Sequence, residues 1–231
     1  MKNPTLVLFD IDATLLLSGG AGKLACEKAF KEALEVDVTW GEVKPHGRTD
    51  PDIFQEVALS NLNRELDSSE LRDVIACYEV HFEDDIKNAK NYRILAGVEK
   101  LLAALSERST LLLGIQTGNL MRTASAKLRR GNLDSYFAFG GYASDSRFRE
   151  EIVATSISRG RACLANKDIS KIVVIGDAPQ DVLAAHHNNA LSVAVGTGAA
   201  SEETLKALSP SLYLNDLSEP APLFDLLKFQ D

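Results

Sequence analysis

The alternation of short apolar runs with longer helical stretches constrains the fold of this chain more than any other feature. The apolar runs lack an in-and-out pattern, which predicts strands covered by helices on both faces. We predict six strands, at Thr5–Phe9, Thr110–Gln116, Tyr136–Gly140, Lys171–Ile175, Leu191–Val195 and Leu212–Leu214. Strands joined by helices form right-handed βαβ units, so we predict an α/β protein with a doubly wound, mostly parallel sheet.

The predicted helices lie between these strands, at Gly97–Glu107, Leu120–Arg130, Glu150–Ala165, Asp181–Asn188 and Ser201–Leu208. The alternation is interrupted once, between Leu17 and Tyr92, where helical periodicity continues without a clear strand. This interval is far longer than an ordinary connection between elements. We therefore predict a small helical cap domain at residues 17–92, inserted after the first strand, and a core domain formed by residues 1–16 and 93–231.

Composition limits the partners of this chain. Its net charge of −8 does not fit the clustered excess of Lys and Arg that binds nucleic acid. No apolar stretch reaches the roughly 18 residues that cross a bilayer. Its three cysteines are widely spaced and form no CxxC pair, which is typical of a reducing compartment. We expect a cytoplasmic protein, monomeric or homodimeric, without nucleic-acid or membrane partners.

Two acids follow the first predicted strand. Asp10 and Asp12 lie at its carboxyl end, which is where doubly wound sheets bind their ligands. Carboxylates in one crevice repel each other unless a cation or a shared proton lies between them. The pair therefore favours a cation site, although an ordinary strand-to-loop turn also favours Asp.

Two other strand ends carry polar groups. Thr117, Gly118 and Asn119 follow the next core strand, and their hydroxyl, amide and backbone N–H groups suit an anion. Asp177 and Asp181 follow the strand that ends at Ile175, and Mg²⁺ prefers such carboxylate oxygens. The alternative in both places is an ordinary helix start with a capping side chain.

A cation near these groups would come from the segment before the strand Lys171–Ile175. Arg147, Arg149 and Arg159 are the candidates, because the helix in this segment begins near the carboxyl edge of the sheet. Taken singly, each of these arginines is an ordinary surface residue. Acids, a hydroxyl and a cation that converge on one crevice are the groups that phosphate-ester hydrolysis requires, because positioning and charge neutralisation supply most of its acceleration.

In these residues the chain resembles the haloacid dehalogenase superfamily, in particular its phosphoglycolate phosphatase-like members. Residues 10–14 match the DxDxT motif, residues 117–119 the Thr/Ser motif, Arg149 the basic motif and residues 176–181 the GDxxxD motif. Four ordered motifs, with a helical cap after the first, cover nearly the whole chain. The resemblance implies a Rossmann-like core and a Mg²⁺-dependent phosphatase acting on a small-molecule phosphate monoester.

The resemblance also implies roles at the reacting centre. Asp10 would attack phosphorus and become an aspartyl-phosphate, and Asp12 would transfer protons to the leaving group and from water. Thr117, with Gly118 and Asn119, would bind the transferring oxygens. Members that attack carbon do not need an acid/base at the position of Asp12, so this residue favours a phosphatase or a phosphomutase.

The remaining implied roles concern charge. Arg149 would neutralise the phosphoryl group and Asp10, with Arg147 as its rival. Mg²⁺ would be held by Asp10, Asp177 and the backbone carbonyl of Asp12. Asp181 would orient a metal-bound water or the cation. In the cap, Arg48 would contact the leaving group, unless its segment only begins a helix at Thr49 or Asp50.

Ala13 departs from the family motif, which usually has Gly at this position. A methyl group is tolerated there if the backbone keeps a negative φ, so we expect activity.

Two other functions remain open at this point. A phosphomutase of the β-phosphoglucomutase type would return the phosphoryl group to a sugar hydroxyl, with His46 of the cap as the nearest extra acid/base. A non-catalytic binding module on the same fold would not need both Asp10 and Asp12.

Overall fold

The computed structural model describes residues 3–165 and 167–227. The strands are β1 (Thr5–Phe9), β2 (Leu16–Leu17), β3 (Arg93–Ile94), β4 (Leu111–Gln116), β5 (Phe139–Gly141), β6 (Lys171–Gly176), β7 (Leu191–Val195) and β8 (Leu212–Leu214). The helices are α1 (Ala21–Leu34), α2 (Asp50–Leu62), α3 (Ser68–Asn88), α4 (Val98–Ser106), α5 (Met121–Arg130), α6 (Arg149–Cys163), α7 (Pro179–His187), α8 (Glu202–Ala207) and α9 (Ala221–Leu227).

Six of the strands form one parallel sheet in the order β5-β4-β1-β6-β7-β8. From β1 the chain adds strands first on one side and then on the other, so the order reverses beside β1. This confirms the predicted doubly wound α/β fold. The carboxyl ends of β1, β4 and β6 are neighbours at this reversal, which is where such sheets bind ligands.

The central strand β1 is buried on both faces, as the continuous apolar run predicts. Val7 and Phe9 belong to the apolar cluster on one side of the sheet, and Leu6 and Leu8 to the cluster on the other. This follows from the alternation of side chains along a strand. Each such side chain contributes on the order of 1.5–3 kcal/mol by leaving water, so β1 is fixed in the middle of the molecule.

The five predicted core helices are present, with ends within two residues of those expected. Helix α7 begins earlier than predicted, at Pro179, because proline is compatible with the first turn of a helix. Tyr136 belongs to a short 3₁₀ turn, so the predicted start of β5 was wrong. Helix α9 was not predicted. No helix within the two described ranges is long and apolar enough to cross a membrane.

Helices α1 to α3 form a helical insert (residues 18–92) between β2 and β3. It has its own apolar cluster, in which Phe30, Phe54 and Phe82 are buried. The same cluster includes Leu120 and Ala126 of the core, so the insert rests on α5 and the turn before it. These contacts fix the position of the insert over one end of the sheet.

The chain enters and leaves the insert through a short antiparallel pair that sequence patterns did not reveal. Leu16 pairs with Ile94 and Leu17 with Arg93. Next to this pair, Gly19 has φ 66°, and a Cβ there would lie 2.5 Å from the backbone nitrogen of Tyr92. The two connecting segments therefore touch at a position that only glycine suits.

Candidate active site

The carboxyl end of β1 positions Asp10 beside the other acids of the site. Its backbone N–H donates to the carbonyl of Ile175 at 2.9 Å, which continues the sheet by one residue. Burial raises the pKa of Asp10 to about 7; Asp181 and Asp12 add to the rise, and Arg149 opposes it. Without a cation, this carboxyl group therefore stays partly protonated near neutral pH.

Asp177 follows β6 and lies beside Asp10. Burial is the main cause that raises its pKa to about 8, and the charges of Asp10 and Asp181 contribute to this rise. The hydroxyl of Thr14 donates to Asp177 Oδ1 at 3.0 Å. Gly198 closes the other side, because a Cβ there would collide with Asp177 Oδ2. Asp177 is thus held in one orientation by its surroundings.

The three buried acids form a cluster with the character of a cation site. One carboxylate oxygen from each of Asp10, Asp177 and Asp181 lies within 4.8 Å of the other two. Among the residues that the structure describes, Arg149 is the one arginine that pairs with these carboxylates, and it cannot balance three acids. The excess of negative charge and the all-oxygen donor set fit Mg²⁺.

Asp181 accepts from more donors of the protein than the other two acids do. Gln116 Nε2 donates to its Oδ1 at 3.0 Å, and the backbone N–H of Ala178 donates to its Oδ2 at 3.0 Å. Arg149 also pairs with Oδ1. The free oxygens of the cluster therefore belong mainly to Asp10 and Asp177.

Of the three candidate arginines, Arg149 is the one at the acids. It begins α6, is buried, and places Nη2 3.3 Å from Asp10 Oδ1. Burial lowers the pKa of its guanidinium, but Asp181 and Asp10 raise it by more, so the group stays charged. Arg147 instead pairs with Asp52 at 2.6 Å on the surface. Arg159 pairs with Asp145 at 2.7 Å.

The turn after β4 lies between the acids and the insert. The Thr117 hydroxyl is buried and accepts from the backbone N–H of Asn119 at 3.3 Å. The carbonyl of Gly118 accepts from the backbone N–H of Asp50 at 2.8 Å. A Cβ on Gly118 would collide with the Arg48 carbonyl, so the turn and the start of α2 are in direct backbone contact.

Asp12 is placed differently from Asp10. Its side chain is 40% exposed, and its Oδ2 lies 2.5 Å from Lys127 Nζ. Lys127 also donates to Asn119 Oδ1 at 2.9 Å, so the amide oxygen of Asn119 is already bonded within the protein. Lys127 was missed at the sequence level. Its signal was a lysine on the buried side of α5, between Ala124 and Leu128 at helical spacing.

A cavity of about 550 Å³ lies between the core and the insert. The core lines it with Asp10, Asp12, Thr117, Arg149 and Asp177, and the insert with a mixed set that includes Trp40, His46, Arg48 and Tyr78. Arg48 is not a free cation, because it pairs with Glu56 and donates Nη2 to the carbonyl of Asp52 at 3.2 Å. All the predicted site residues except Asp181 line this cavity.

The condition placed on Ala13 is not met. Its φ is 58°, in the left-handed region that favours glycine, and not negative as expected. Hydrogen bonds within the loop hold this conformation. The Ala13 N–H donates to the Leu16 carbonyl at 2.9 Å. Thr197 Oγ1 also donates to the Ala13 carbonyl at 2.5 Å. The alanine is held in a strained conformation by its neighbours.

The site has acids at the ends of two neighbouring strands and a Thr-Gly-Asn turn at the end of a third. These features define a class of α/β proteins in which inserted helices cover a cation-type site at the edge of the sheet. A family model of haloacid dehalogenase-like hydrolases matches residues 7–195. The chain belongs to this family of hydrolases. No curated protein matches it.

Solved structures share the fold over nearly the whole chain. A protein from Clostridium acetobutylicum, assigned as a phosphatase, is 22% identical with TM-score 0.73, covering 99% of this chain and 100% of its own. One from Haemophilus somnus 129pt, assigned as a phosphoglycolate phosphatase, is 16% identical with TM-score 0.72, covering 96% and 99%. One from Bacteroides vulgatus, assigned as a β-phosphoglucomutase, is 17% identical with TM-score 0.69, covering 98% and 89%. At these identities the likeness establishes the fold.

Proposed function

We propose that this protein is a Mg²⁺-dependent phosphatase that hydrolyses a small-molecule phosphate monoester through an aspartyl-phosphate on Asp10. The observation that carries the proposal is the cluster of Asp10, Asp177 and Arg149 at the floor of the cavity. It offers a carboxylate nucleophile, oxygen ligands for a cation and a fixed positive charge. These are the groups that phosphoryl transfer requires.

In the first half-reaction, an oxygen of Asp10 attacks phosphorus and the bond from phosphorus to the leaving oxygen breaks. Asp12 gives its proton to that oxygen. Asp12 suits this exchange because it is partly open to the cavity, while Asp10 is buried on the floor. In the second half-reaction, Asp12 takes a proton from water, the water oxygen bonds to phosphorus, and the bond to Asp10 breaks.

The remaining residues position and neutralise the phosphoryl group. Arg149 balances charge on Asp10 and on the phosphoryl oxygens, and Asp181 holds Arg149 in place. The Thr117 hydroxyl and the backbone of Gly118 and Asn119 would donate to transferring oxygens. Preorganised donors of this kind stabilise the transition state because they need no reorientation during the reaction.

The residues that would hold Mg²⁺ are Asp10, Asp177 and the backbone carbonyl of Asp12. Once bound, the ion would neutralise the carboxylates and polarise the phosphoryl group. The fit is supported by the raised pKa values of Asp10 and Asp177, because acids that are buried together without a cation retain protons. Asp181 would act indirectly, through Arg149 or a metal-bound water.

The size of the cavity supports a small phosphate monoester as the substrate class. A volume of about 550 Å³ is larger than a phosphoglycolate-sized ligand needs and accommodates a sugar phosphate as well. We propose that the insert acts as a cap that selects the leaving group, with Arg48 as one contact. The neutralisation of Arg48 by Glu56 means that it would recognise a hydroxyl or a carboxylate only after this pair rearranges.

The direct test is hydrolysis of p-nitrophenyl phosphate with Mg²⁺ or with EDTA. We expect Mg²⁺-dependent turnover by the wild type and none above background by folded Asp10→Asn, because an amide is not a nucleophile. The Arg64→Ala variant removes an exposed arginine of the insert and is the control. Appreciable hydrolysis by Asp10→Asn would remove Asp10 from the nucleophile role. An inactive wild type would favour a binding module.

A phosphomutase is the second candidate, because His46 lines the cavity from the insert side. A mutase needs an extra acid/base there to activate a sugar hydroxyl. Incubation with sugar phosphates separates the two functions: release of inorganic phosphate supports the phosphatase, whereas isomerisation that His46→Ala abolishes supports the mutase.

A further inference from the structure

Lys127 lies at the interface between the core and the helical insert. Its side chain is 5% exposed, and its ammonium donates to Asp12 Oδ2 at 2.5 Å and to Asn119 Oδ1 at 2.9 Å. The two acceptors follow β1 and β4, whereas the lysine comes from α5. A lysine buried to this extent is found almost only where its charge is paired.

The insert covers the other side of this ammonium. The ring of Phe82 on α3 has its centroid 5.4 Å from Lys127 Nζ. Asp50, at the start of α2, is near enough that the Lys127 charge opposes the rise in the pKa of Asp50 caused by its burial. Asp50 Oδ2 accepts from the backbone N–H of Leu120 at 2.9 Å, just before α5. The insert is therefore attached to the same helix that carries Lys127.

The Asp12 carboxylate depends on this lysine for its orientation. Within residues 3–165 and 167–227, Lys127 is its single hydrogen-bond partner. A carboxylate that is 40% exposed and has no partner exchanges among several rotamers. Proton transfer requires the group to stay within hydrogen-bond reach of the transferring atom.

We propose that Lys127 is a positioning residue of the reaction, which holds the Asp12 carboxylate for proton transfer and is itself held by the docked insert. This inference rests on the proposed function, in which Asp12 transfers the protons. The pair gains strength from its surroundings, because charges attract more strongly where Phe82 and the insert exclude water. Docking of the insert thereby fixes the orientation of Asp12.

The test compares neutral and charged variants of the same helix. Lys127→Met removes the ammonium from the interface between core and insert. Lys127→Gln is a second neutral variant that keeps N–H donors. Lys127→Arg keeps the charge and tests rescue. Arg129→Met removes a charge from the exposed side of α5 and is the matched control. Circular dichroism and thermal unfolding identify the variants that fold.

Rapid-mixing kinetics with p-nitrophenyl phosphate provide a readout that a purely structural role would not give. Its leaving group needs no proton, so the burst that reports phosphorylation of Asp10 should remain near the wild-type rate in Lys127→Met. Water activation by Asp12 should slow, so kcat should fall about 10- to 100-fold. KM should fall with it, because kcat/KM reports the phosphorylation step, which is unchanged. Lys127→Arg should recover part of this loss, and Arg129→Met should retain the wild-type kcat.

The same substitution in an Asp12→Asn background completes the test. If Lys127 acts through Asp12, then Lys127→Met should lower the residual rate by less than about threefold in that background. This double variant leaves no lone buried charge, so the comparison stands even if neither neutral single variant folds. A larger further loss contradicts the proposal.

Other outcomes also overturn it. A folded Lys127→Met with wild-type kcat would show that Asp12 needs no positioning by the lysine. Equal slowing of the burst and of steady-state turnover would show damage to the Asp10 site. An inactive wild type would remove the proposed function together with this inference, whereas an active wild type with an unaffected Lys127→Met removes the inference alone.

Discussion

The burial of Asp10 and Asp177 in one acidic cluster is the main electrostatic feature of the site at the level of single residues. Both carboxyl groups are buried, and Arg149 reaches Asp10 but forms no ion pair with Asp177 among the described residues. Their pKa values of about 7 and about 8 lie above those of the unfolded chain. Folding therefore depends on how these charges are compensated.

We predict that the metal-free protein loses stability as the pH rises. Between about pH 4 and pH 8 the folded state keeps protons on Asp10 and Asp177 that the unfolded state has released, so stability falls across this window. The loss should be on the order of a few kcal/mol. Bound Mg²⁺ favours the carboxylates, so it should raise Tm more at pH 8 than at pH 5.

Thermal unfolding in EDTA and in Mg²⁺ across this pH range measures the effect. Asp177→Asn is the matched variant, because it removes one of the two acids and keeps the shape. It should show a smaller fall with pH and a smaller gain from Mg²⁺. A metal-free stability that does not change over the window would contradict the prediction.

A second prediction concerns Ala13, whose φ of 58° costs an L-residue about 1–2 kcal/mol. Ala13→Gly removes this strain but makes the unfolded chain more flexible, which offsets about 0.4–1 kcal/mol. We expect a net gain of about 0.5–1 kcal/mol, read as a rise in Tm of about 1–4 °C. Thermal unfolding at fixed pH measures it.

The control for Ala13→Gly is an alanine in ordinary helical conformation. Ala103 is exposed on α4, and Ala103→Gly should lower stability by about 1 kcal/mol. If both substitutions destabilise the protein to the same extent, the left-handed conformation of Ala13 is not strained.

Secondary-structure elements with a strong local pattern were predictable from the sequence. The buried strands β1, β4, β6 and β7 carry continuous apolar runs, and helices α4 and α6 bury residues at regular helical spacing. Strands β2 and β3 have two residues each, too few for any periodicity, and their pairing joins positions far apart in sequence. Short elements of this kind are defined by tertiary contact alone.

The close contact between the turn after β4 and the start of α2 should make the protein sensitive to a larger residue at Gly118. A Cβ on Gly118 would meet the Arg48 carbonyl, so Gly118→Ala has to push α2 away from the core. We expect a loss of about 1–3 kcal/mol of stability, as for other overpacked contacts. kcat/KM should also fall, because the insert no longer closes the cavity.

Chemical denaturation and p-nitrophenyl phosphate hydrolysis measure the two effects of Gly118→Ala. Gly22→Ala is the control, since a Cβ at Gly22 would lie at an ordinary 3.4 Å from Tyr78 Oη, and alanine favours the helix α1. It should hold or raise stability. Full stability of Gly118→Ala would show that the turn and α2 separate at little cost.

At the scale of the whole molecule, the candidate site combines local and distant residues. Asp10, Thr117 and Asp177 were predictable because each follows a strand, and neighbouring parallel strands end at the same edge. Lys127 lies 115 residues from Asp12, and no local pattern reports such a contact. The helical insert over the cavity was predicted as a cap, but the pairing of Arg48 with Glu56 within the insert was not predicted.

The last prediction concerns the separate roles proposed for the core and the insert. If the core performs the chemistry and the insert selects the leaving group, Arg48→Ala should affect substrates unequally. For a phosphate ester with a polar or charged leaving group, such as phosphoglycolate or a sugar phosphate, we expect KM to rise by about tenfold, the loss of one charged hydrogen bond. For p-nitrophenyl phosphate, whose leaving group is an aromatic ring, kcat/KM should change by less than about threefold. Glu56→Gln is the paired variant: it releases Arg48 from its ion pair and should lower KM for the first kind of substrate only. Equal losses on both substrates in Arg48→Ala would mean that this arginine supports the fold of the insert through Glu56, and that other side chains of the insert choose the substrate.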